Sequence, residues 1–262
     1  MYRPDDIYIT PYVPPRIENR LSQILKMHGK FVTLQKKQFL VNKDIIKSFV
    51  YVKSGVIGRI RETPILTKQS FLEITPPGCM ANFINFFSPG KVKIRILALR
   101  HSEVYITPFE KIYALMEKDE EIRHLIYQMY GGNAESSLRS CHCNFIFPCK
   151  YRLILLFKAL ARHSGSLPDA NGWIRLPYKL TREEYCEIVF CSLLTLDNTL
   201  LEWKKEHLYK KTIEGSFVHV DLLDKDIADS LYKHDVVIHE PTPGYHFSDH
   251  SSRLKETVCD PV

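Results

Sequence analysis

Residues 181–201 read TREEYCEIVFCSLLTLDNTLL, and the local signals in this stretch decide the fold. Thr181 and Glu184 have the S/T-x-x-E spacing of a capping box, which predicts that a helix begins there. Cys191 falls in a tight turn, where a small side chain lets two helices approach each other. The hydroxyl of Ser192 is suited to capping a second helix. The apolar residues of that second helix recur at helical spacing and predict an inward face: Leu193, Leu196, Leu200 and Trp203.

A hairpin is predicted directly after the second helix. Residues 210–220 read KKTIEGSFVHV, with a turn at Glu214-Gly215 between two short β-rich runs. Two capped helices, a tight turn and a hairpin are typical of a winged helix-turn-helix, whose second helix usually enters a DNA groove. A small helical domain with no nucleic-acid role has the same local pattern and stays open as the alternative.

The composition favours a folded protein of one large or two modest domains. The 262 residues are 45% hydrophobic and 25% charged, with only 11 Gly, which argues against a disordered chain. A net charge of +6 is compatible with nucleic acid without being diagnostic. No apolar run reaches the roughly 18 residues of a membrane span. Residues 1–6 lack a signal-peptide core, and seven cysteines without small-scaffold spacing are typical of a reducing cytoplasm. We therefore expect a cytoplasmic protein with no membrane partner.

The first half of the chain is predicted to form an antiparallel barrel or roll. Short β-rich runs follow one another closely from Gly29 to Pro108, separated by glycine and proline. Residues 1–20 are Pro-rich and irregular, with a short helix predicted over Ile17–Met27. The predicted strands are Phe31–Leu34, Phe49–Val52, Val56–Ile60, Ser70–Ile74, Lys91–Leu99 and Glu103–Ile106.

A helical region connects the two halves. Asp119 opens a long predicted helix, and its apolar stripe over Ile122–Met129 fits either the core or the seam of a two-helix dimer. Gly131-Gly132 is expected to interrupt this helix, since each glycine costs a helix interior about 1 kcal/mol relative to alanine. Pro148 marks a hinge, and an apolar helix is predicted over Tyr151–His163.

These elements predict an α+β fold with four segments along the chain. Residues 1–117 are expected to form a sensing β-roll with an N-terminal extension, and residues 118–147 a dimerisation helix and hinge. Residues 148–232 would form the winged helix-turn-helix, which ends in a helix over Leu222–Tyr232. Residues 233–262 are expected to be a polar, His-rich tail.

This order of elements resembles the Crp/Fnr family of bacterial transcription regulators. Leu180–Glu184 and Glu187–Ser192 look like the helix-turn-helix signature of that family, and Arg152–Leu156 resembles its first C-domain helix. The resemblance implies a cyclic-nucleotide-binding-like jelly roll, a long dimer helix, and a two-fold dimer on a palindromic promoter site in double-stranded DNA. The hinge region and Ile174–Pro177 look closest to the regulators of reductive dehalogenation, which sense halogenated phenols.

The predicted recognition helix departs from the family pattern. The family places Arg and Glu just after the capping serine and a second Arg one turn on. This chain has Leu193, Leu194 and Asn198 at those places, with Asp197 alongside. Strong readout of guanine is therefore not expected, and Asn198 is suited to adenine instead. The residues predicted to contact bases or phosphates are Arg182, Ser192, Thr195, Asn198, Thr199, Lys204, Lys205, Lys210 and Lys211.

The sensor half departs from the cyclic-nucleotide binders of the family. These use a Gly-Glu pair for the ribose and an Arg-Ser pair for the phosphate. In this chain residues 78–87 contain no Glu, and Val92-Lys93 stands where Arg-Ser would be. A small aromatic acid or phenol is the expected effector instead, held by an aromatic and basic pocket. Its predicted lining is Phe83, Phe86, Phe87, Lys93, Arg95, Tyr127 and Tyr130. The same aromatic run also fits a plain hydrophobic core.

The cysteines and histidines are not expected to bind a metal. Cys141-His142-Cys143 with Cys149 lacks the C-x-x-C spacing of a zinc site. Residues 1–30 hold none of the cysteines that bind iron–sulfur clusters in members of the resembled family. No cofactor is predicted. Buried thiols and a thiol redox switch both stay open for these residues.

We therefore predict a homodimeric transcription regulator and not an enzyme. The sequence lacks the phosphate-binding, dinucleotide-binding, serine-hydrolase and zinc-protease signatures. In the predicted mechanism, a small-molecule effector bound between roll and long helix reorients the hinge near Cys143–Pro148. Two alternatives stay open. One is a ligand-binding or protein-interaction module with decayed DNA specificity, and the other is an enzyme with Cys141 or Cys143 as nucleophile.

Overall fold

Two antiparallel sheets make up most of the first half of the chain. The computed structural model describes residues 10–40, 45–61, 70–88 and 94–224. The strands of this half are β1 Lys30–Leu34, β2 Ser48–Ser54, β3 Ile57–Arg61, β4 Ser70–Thr75, β5 Met80–Ala81, β6 Ile94–Ala98 and β7 Ser102–Pro108. The first sheet has the strand order β1-β7-β2-β5, and the second has the order β4-β3-β6.

Inward-facing side chains of the two sheets share one core, because successive residues of a strand point to opposite faces. Val50 and Val52 of β2 contribute from the first sheet, and Ile57 of β3 with Ile96 of β6 from the second. Every predicted strand overlaps an observed one, so the prediction of a series of short antiparallel strands is confirmed. Residues 91–93 of the predicted fifth strand lie outside the described residues.

Four helices pack on the first sheet and form a second hydrophobic cluster with it. They are α1 Asn19–His28, α2 Ile84–Phe87, α3 Phe109–Lys118 and α4 Glu120–Ile146. Phe49 and Tyr51 of β2 meet Leu25 of α1, Ile112 of α3 and Ile126 of α4 there. The predicted stripe over residues 122–129 therefore belongs to the core. Asp119 opens α4, since its carboxylate accepts hydrogen bonds from two backbone amides of the first turn.

The prediction that Gly131-Gly132 interrupts the long helix is wrong. α4 continues through both residues to Ile146. Burial of Met129 before them and of Asn133 and Ser136 after them anchors the helix on both sides. This packing offsets the helix cost of the glycines, which is about 1 kcal/mol each.

The second half contains a helical layer and a small sheet. Its elements are α5 Cys149–Ser164, β8 Trp173–Arg175, α6 Arg182–Val189, α7 Leu193–Lys205, β9 Tyr209–Lys211, β10 Ser216–His219 and α8 Val220–Asp224. The sheet order is β8-β10-β9. Phe157 of α5 packs against Tyr185, Trp203 and Tyr209, with ring centroids 5.6, 6.0 and 6.3 Å apart. α6, α7 and the β9–β10 hairpin are therefore held against α5 by one aromatic core.

The predicted helix starts and the hairpin are confirmed. The capping box of α6 is present, and the Ser192 hydroxyl accepts a hydrogen bond from the Thr195 backbone amide at 3.0 Å. Gly215 lies between β9 and β10 with a φ of 149°, which favours glycine. The predicted helix over Leu222–Tyr232 is observed only to Asp224. The rest of that helix and the predicted tail lie outside the described residues.

Residues 10–16, which the sequence predicted to be irregular, are tied to both the sheets and α4. The Tyr12 backbone amide donates to Ser140 Oγ at 2.6 Å, and its phenol donates to Asn144 Oδ1 at 3.0 Å. The Tyr12 carbonyl accepts from the Ile74 amide of β4 at 3.2 Å. In the described part of the chain, no helix combines the length and hydrophobicity needed to cross a bilayer.

Candidate functional site

The first turns of α7 are uncovered on one side. Leu194 is 71% exposed, and the predicted contact residues Ser192, Thr195 and Asn198 are exposed as well. The opposite side packs inward through Leu196, Leu200 and Trp203, all of which are buried. One face of α7 thus holds the helix on the protein, and the other is presented outward.

Thr199, which the sequence predicted among the outward contacts, lies on the buried side of α7. Its side chain is only 8% exposed, and its hydroxyl donates to the Thr195 carbonyl at 2.8 Å. Thr199 lies three positions after Leu196 and four before Trp203, so all three share one side of the helix, and the other two are fully buried.

Arg182 and Asp197 form an ion pair across the turn between α6 and α7. Both side chains are about half exposed. This pairing neutralises the acidic residue that the sequence placed beside the contact surface. It also occupies the guanidinium of Arg182, which had been predicted to be available for phosphate.

Four lysines flank the exposed face of α7. Lys204 and Lys205 are exposed in its last turn, and Lys211 is exposed at the end of β9. The Lys210 ammonium lies over the Trp173 ring, 4.0 Å from the centroid, which is a cation–π contact. All four lie between the last turn of α7 and the end of β9, so this part of the chain carries a concentration of positive charge.

The aromatic residues predicted as effector contacts fall into two connected groups. Phe87 packs against Tyr127 at 5.4 Å and Tyr130 at 4.9 Å between ring centroids, and Phe83 packs against Tyr130 at 5.6 Å. Phe86 stacks on Tyr113 at 4.3 Å, and its ring also lies 4.7 Å from that of Phe87. Phe83 and Phe86 both belong to the hydrophobic cluster between the first sheet and the helices. The structure therefore brings Phe83, Phe87 and both tyrosines together where α2 meets α4.

A buried ion pair that the sequence reasoning missed lies beside this aromatic group. Arg59 Nη2 and Glu73 Oε2 are 2.7 Å apart, with side chains 3% and 1% exposed. Ser137 of α4 accepts from Arg59 at 2.9 Å and donates to Glu73. The guanidinium also lies 4.8 Å from the Phe83 ring centroid. We call Arg59, Glu73, Ser137 and Phe83 the buried polar cluster.

The polar cluster retains unused hydrogen-bonding capacity. Arg59 Nε and Nη1 and the Asn133 side-chain oxygen are buried without a hydrogen-bond partner among the described residues. Burial raises the pKa of Glu73, while the neighbouring Arg59 charge and the Ser137 hydrogen bond oppose that rise. A buried guanidinium with free donors is suited to an anionic group.

The two predicted basic effector contacts are placed differently. Lys93 lies outside the described residues. Arg95 of β6 lies over the Phe39 ring at 4.9 Å. It is adjacent to Ile94 and Ile96, which face the shared core, so its side chain points to the other face of the sheet. Arg59 pairs with Ile96 in register and therefore faces inward. A charged residue between apolar neighbours in a strand was the available signal for Arg59 and Glu73.

A second uncovered surface runs along α4. Leu138 is 71% exposed and Phe145 is 89% exposed, and Tyr127 and Cys141 are exposed on the same side. The apolar positions in the sequence predicted a stripe over residues 122–129, which the core covers. The exposed stripe begins near Tyr127 and continues beyond Gly131-Gly132, where the sequence had predicted an interruption of the helix.

The cysteine pair predicted as a possible nucleophile differs in accessibility. Cys141 is exposed, whereas Cys143 is buried, and burial raises the pKa of the Cys143 thiol to about 11. A thiol with so high a pKa is a poor nucleophile near neutral pH. Within residues 10–224, apart from the gaps in that range, no three His, Cys, Asp or Glu side chains are arranged to hold a metal ion.

Comparison with known proteins places this arrangement in one group of solved structures. A CprK variant complexed with OCPA has 15% identity and a TM-score of 0.61, covering 82% of this chain and 95% of that one. A mutant of CooA from Carboxydothermus hydrogenoformans has 17% identity and a TM-score of 0.62, covering 79% and 93%. A CRP-family transcriptional regulator from Thermus thermophilus has 14% identity and a TM-score of 0.57, covering 73% and 92%. The chain has the fold of the Crp/Fnr-family regulators.

No protein-family model and no curated protein matches the sequence. The Crp/Fnr fold is thus supported by the course of the backbone at low sequence identity. The predicted resemblance is confirmed at the level of fold, and the chain covers nearly the whole length of each matched structure.

Proposed function

We propose that this chain is a homodimeric, DNA-binding transcription regulator of the Crp/Fnr type that responds to a small aromatic acid or phenol. The observation that carries the proposal is the uncovered face of α7 on a fold shared with transcription regulators. In this reading residues 1–117 form the sensing jelly roll and 118–147 the dimerisation helix. Residues 148–232 form the winged helix-turn-helix, and residues 233–262 a tail.

The exposed stripe of α4 supports a second copy of the chain as the partner. Its positions alternate in spacing between four and three residues, which is the repeat of a two-helix seam. Two such helices in parallel, related by a two-fold axis, would cover each other's apolar side chains. The stripe consists of Tyr127, Gly131, Ala134, Leu138, Cys141 and Phe145.

The exposed face of α7 supports contact with the major groove. Asn198 has the amide geometry that pairs with adenine, and the flanking lysines supply the attraction for phosphates. Leu193 stands where the family has an arginine and Leu194 where it has a glutamate, so contact with a thymine methyl group is the available apolar interaction. We expect a palindromic site in which adenine–thymine pairs occupy the contacted positions.

The buried polar cluster supports an anionic aromatic effector. Arg59 offers two donors without a partner in the described part of the chain, its guanidinium lies over the Phe83 ring, and Phe83 in turn packs against Tyr130. A carboxylate or phenolate would satisfy the guanidinium while its ring packs against these aromatics. One matched structure, CprK, is complexed with OCPA. Because Ser137 of α4 belongs to the cluster, an occupant there would act on the sheets and the long helix together.

A fluorescence-anisotropy titration of the full chain against its own promoter region tests the proposal. We expect saturable, salt-sensitive binding that weakens in Asn198→Ala and in the double variant Lys204→Ala/Lys205→Ala. The matched control is Lys36→Ala/Lys118→Ala, which removes two exposed lysines outside the proposed DNA-binding domain and should leave binding unchanged. Equal effects of the two double variants would contradict the assigned surface.

The exposed leucines at the start of α7 favour one alternative, a ligand-binding or protein-interaction module with decayed DNA specificity. Leu193 and Leu194 present apolar surface where a DNA-binding helix commonly presents charge. The absence of DNA binding at low salt would support this alternative. Thermal-shift measurements with phenylacetate, phenol and cyclic AMP would test the sensor separately. Stabilisation by cyclic AMP alone would contradict the proposed effector class.

A further inference from the structure

Three cysteines from separate parts of the sequence meet at the turn between α6 and α7. Cys149 is the first residue of α5, directly after Pro148. Cys186 lies in α6, and Cys191 stands between the end of α6 and the Ser192 cap. The sulfurs of Cys186 and Cys191 are 3.9 Å apart, and the Cys191 amide donates to the Cys186 carbonyl at 3.0 Å. The proposed DNA-binding function uses none of these thiols.

Arg152 places Cys149 beside Cys191. Cys149 and Arg152 are three positions apart on α5, so their side chains lie on the same side of that helix. Arg152 Nη1 donates to the carbonyl of Phe190, the residue before Cys191, at 3.2 Å, and to the Asn144 carbonyl at 3.3 Å. The guanidinium therefore bridges the end of α4 and the turn before α7, and so ties the start of α5, where Cys149 lies, to the turn that holds Cys191.

The surroundings favour the thiolate form of Cys149 more than the thiolate forms of Cys186 and Cys191. Its pKa is lowered by a hydrogen bond from Cys191 and by the charge of Arg152, against the effect of burial. The pKa of Cys191 is raised, because its thiol donates the hydrogen bond to Cys149 and because it is partly buried. The first turn of α5 also stabilises a negative charge on its first residue. One thiolate and one protonated thiol therefore stand side by side.

We propose that Cys149 and Cys191 form a reversible disulfide when the protein meets hydrogen peroxide. The Cys149 thiolate attacks one peroxide oxygen, which gives the sulfenic acid and releases hydroxide. Cys191 sulfur then attacks the Cys149 sulfur, the disulfide forms, and the sulfenic oxygen leaves as water with the Cys191 proton. The thiolate and the thiol together lose two electrons, and the peroxide is reduced to one hydroxide ion and one water molecule. Cys149 is only 7% exposed, so a small peroxide suits the site better than a bulky disulfide oxidant.

The disulfide would tie the start of α5 to the start of α7. A sulfur–sulfur bond is about 2.05 Å long, so the turn at Cys191 must move toward α5. Ser192, which caps α7, follows Cys191 directly and would move with it. We expect oxidation to weaken DNA binding for this reason. This consequence rests on the proposed function, whereas formation of the disulfide does not.

Peptide mapping of the full chain after treatment with hydrogen peroxide tests the bond directly. Trypsin places Cys141, Cys143 and Cys149 in the peptide 140–150, and Cys186 and Cys191 in the peptide 183–204. A Cys149–Cys191 disulfide joins the two peptides, and the link is lost on reduction with dithiothreitol. A Cys186–Cys191 disulfide would stay within the second peptide, which would then lack two hydrogen atoms, and that result would overturn the proposal.

Serine variants assign the linked residues. The joined peptide should disappear in Cys149→Ser and in Cys191→Ser and persist in Cys141→Ser, the matched control with an exposed thiol in the same peptide. Persistence of the link in Cys149→Ser would also overturn the proposal. If a variant does not fold, fragmentation of the linked wild-type peptides still identifies the two sulfurs. Loss of promoter binding on oxidation, restored by dithiothreitol, tests the consequence. If the disulfide forms and promoter binding does not change, the proposed bond is supported and its proposed effect on DNA binding is contradicted.

Discussion

The guanidinium of Arg100 holds both carboxylate oxygens of Glu184, with Nη1–Oε1 and Nη2–Oε2 distances of 2.9 Å each. Arg100 lies in the turn between β6 and β7, whereas Glu184 is the capping-box residue of α6. Arg100 Nε also donates to the Tyr178 carbonyl at 2.7 Å. Glu184 Oε2 accepts from the Thr181 amide at 2.8 Å as well, so the same carboxylate starts α6 and binds the sheet half.

Replacing Arg100 should loosen the half of the chain that begins at α5 from the sheets. Both side chains of the pair are largely buried, and hydrogen bonds between charged groups contribute about 1.5–3 kcal/mol. We expect Arg100→Ala to lower the free energy of unfolding in urea by that order and to speed amide exchange in α6. Arg175→Ala is the matched control, because that exposed arginine bonds the Glu214 carbonyl within its own half. Equal losses in the two variants would contradict a special role of Arg100.

We predict that substitutions of Arg59 and Glu73 have strongly non-additive effects on the free energy of unfolding. Arg59→Met leaves the Glu73 carboxyl buried without its counter-charge, which costs roughly 3–5 kcal/mol of folding free energy. Arg59→Met combined with Glu73→Gln removes both charges and should be less destabilised than Arg59→Met alone. Urea unfolding of the two single variants and the double variant measures this coupling. Costs that simply add would show that the two charges do not depend on each other.

The seam on α4 predicts a change of oligomeric state. Leu138→Glu places a charge on the exposed stripe of both copies. Each lost leucine contact costs roughly 1.5–3 kcal/mol, so the dissociation constant of the dimer should rise by at least about a hundredfold. Leu167→Glu is the control, since Leu167 is equally exposed but lies in the loop after α5. Sedimentation velocity would distinguish them, and a wild-type monomer at micromolar concentration would refute the seam.

His163 predicts a loss of stability in mild acid. Burial, with a contribution from Arg16, lowers the pKa of its imidazole from 6.5 to about 4, and Nε2 lies 3.1 Å from the Pro77 carbonyl. His163 is therefore protonated near pH 6.5 in the unfolded chain but only near pH 4 in the folded chain. The stabilisation from neutral His163 is complete above pH 6.5 and is lost as the pH falls toward 4, by roughly 3 kcal/mol.

His163→Gln keeps an N–H donor and removes the titration. The difference in melting temperature between pH 7.5 and pH 5 should be smaller in this variant than in the wild type. A parallel decline in both proteins would assign the acid sensitivity to other groups.

The Arg182–Asp197 pair predicts that promoter binding can be strengthened. Asp197→Asn removes a carboxylate beside the exposed face of α7 and frees Arg182 to bind phosphate. We expect tighter binding and a salt dependence steeper by about one phosphate contact. Asp221→Asn, at an exposed position in α8, serves as the control for the loss of one negative charge. Unchanged affinity and unchanged salt dependence would place the pair away from DNA.

Helix starts were predictable from the sequence, because a capping residue and its hydrogen-bond partner lie within one helical turn of each other. The capping box of Thr181 and Glu184 and the serine cap at Ser192 are examples, because each hydrogen bond spans three residues. The strand runs were predictable for a similar reason, since alternating or continuous apolar residues indicate extended structure locally.

The candidate site depended more on partners distant in the chain. Arg59 and Ser137 are 78 positions apart, and the local sequence around Arg59 shows only a charge within an apolar run. The continuity of α4 through Gly131-Gly132 also depends on burial of its flanking residues, which helix propensity does not contain. The effector contacts therefore stay a prediction, and the predicted set lacked Arg59, whose guanidinium lies beside the Phe83 ring.

The amino-acid sequence by itself determined where helices and strands begin and which class of fold they build, because capping and periodicity act over a few neighbouring residues. Tertiary structure alone decided that Thr199 faces inward, that Arg59 meets Glu73, and that Arg100 reaches Glu184 across the two halves of the chain. These outcomes require side chains to be brought together by the packing of whole elements, and no local pattern specifies that packing.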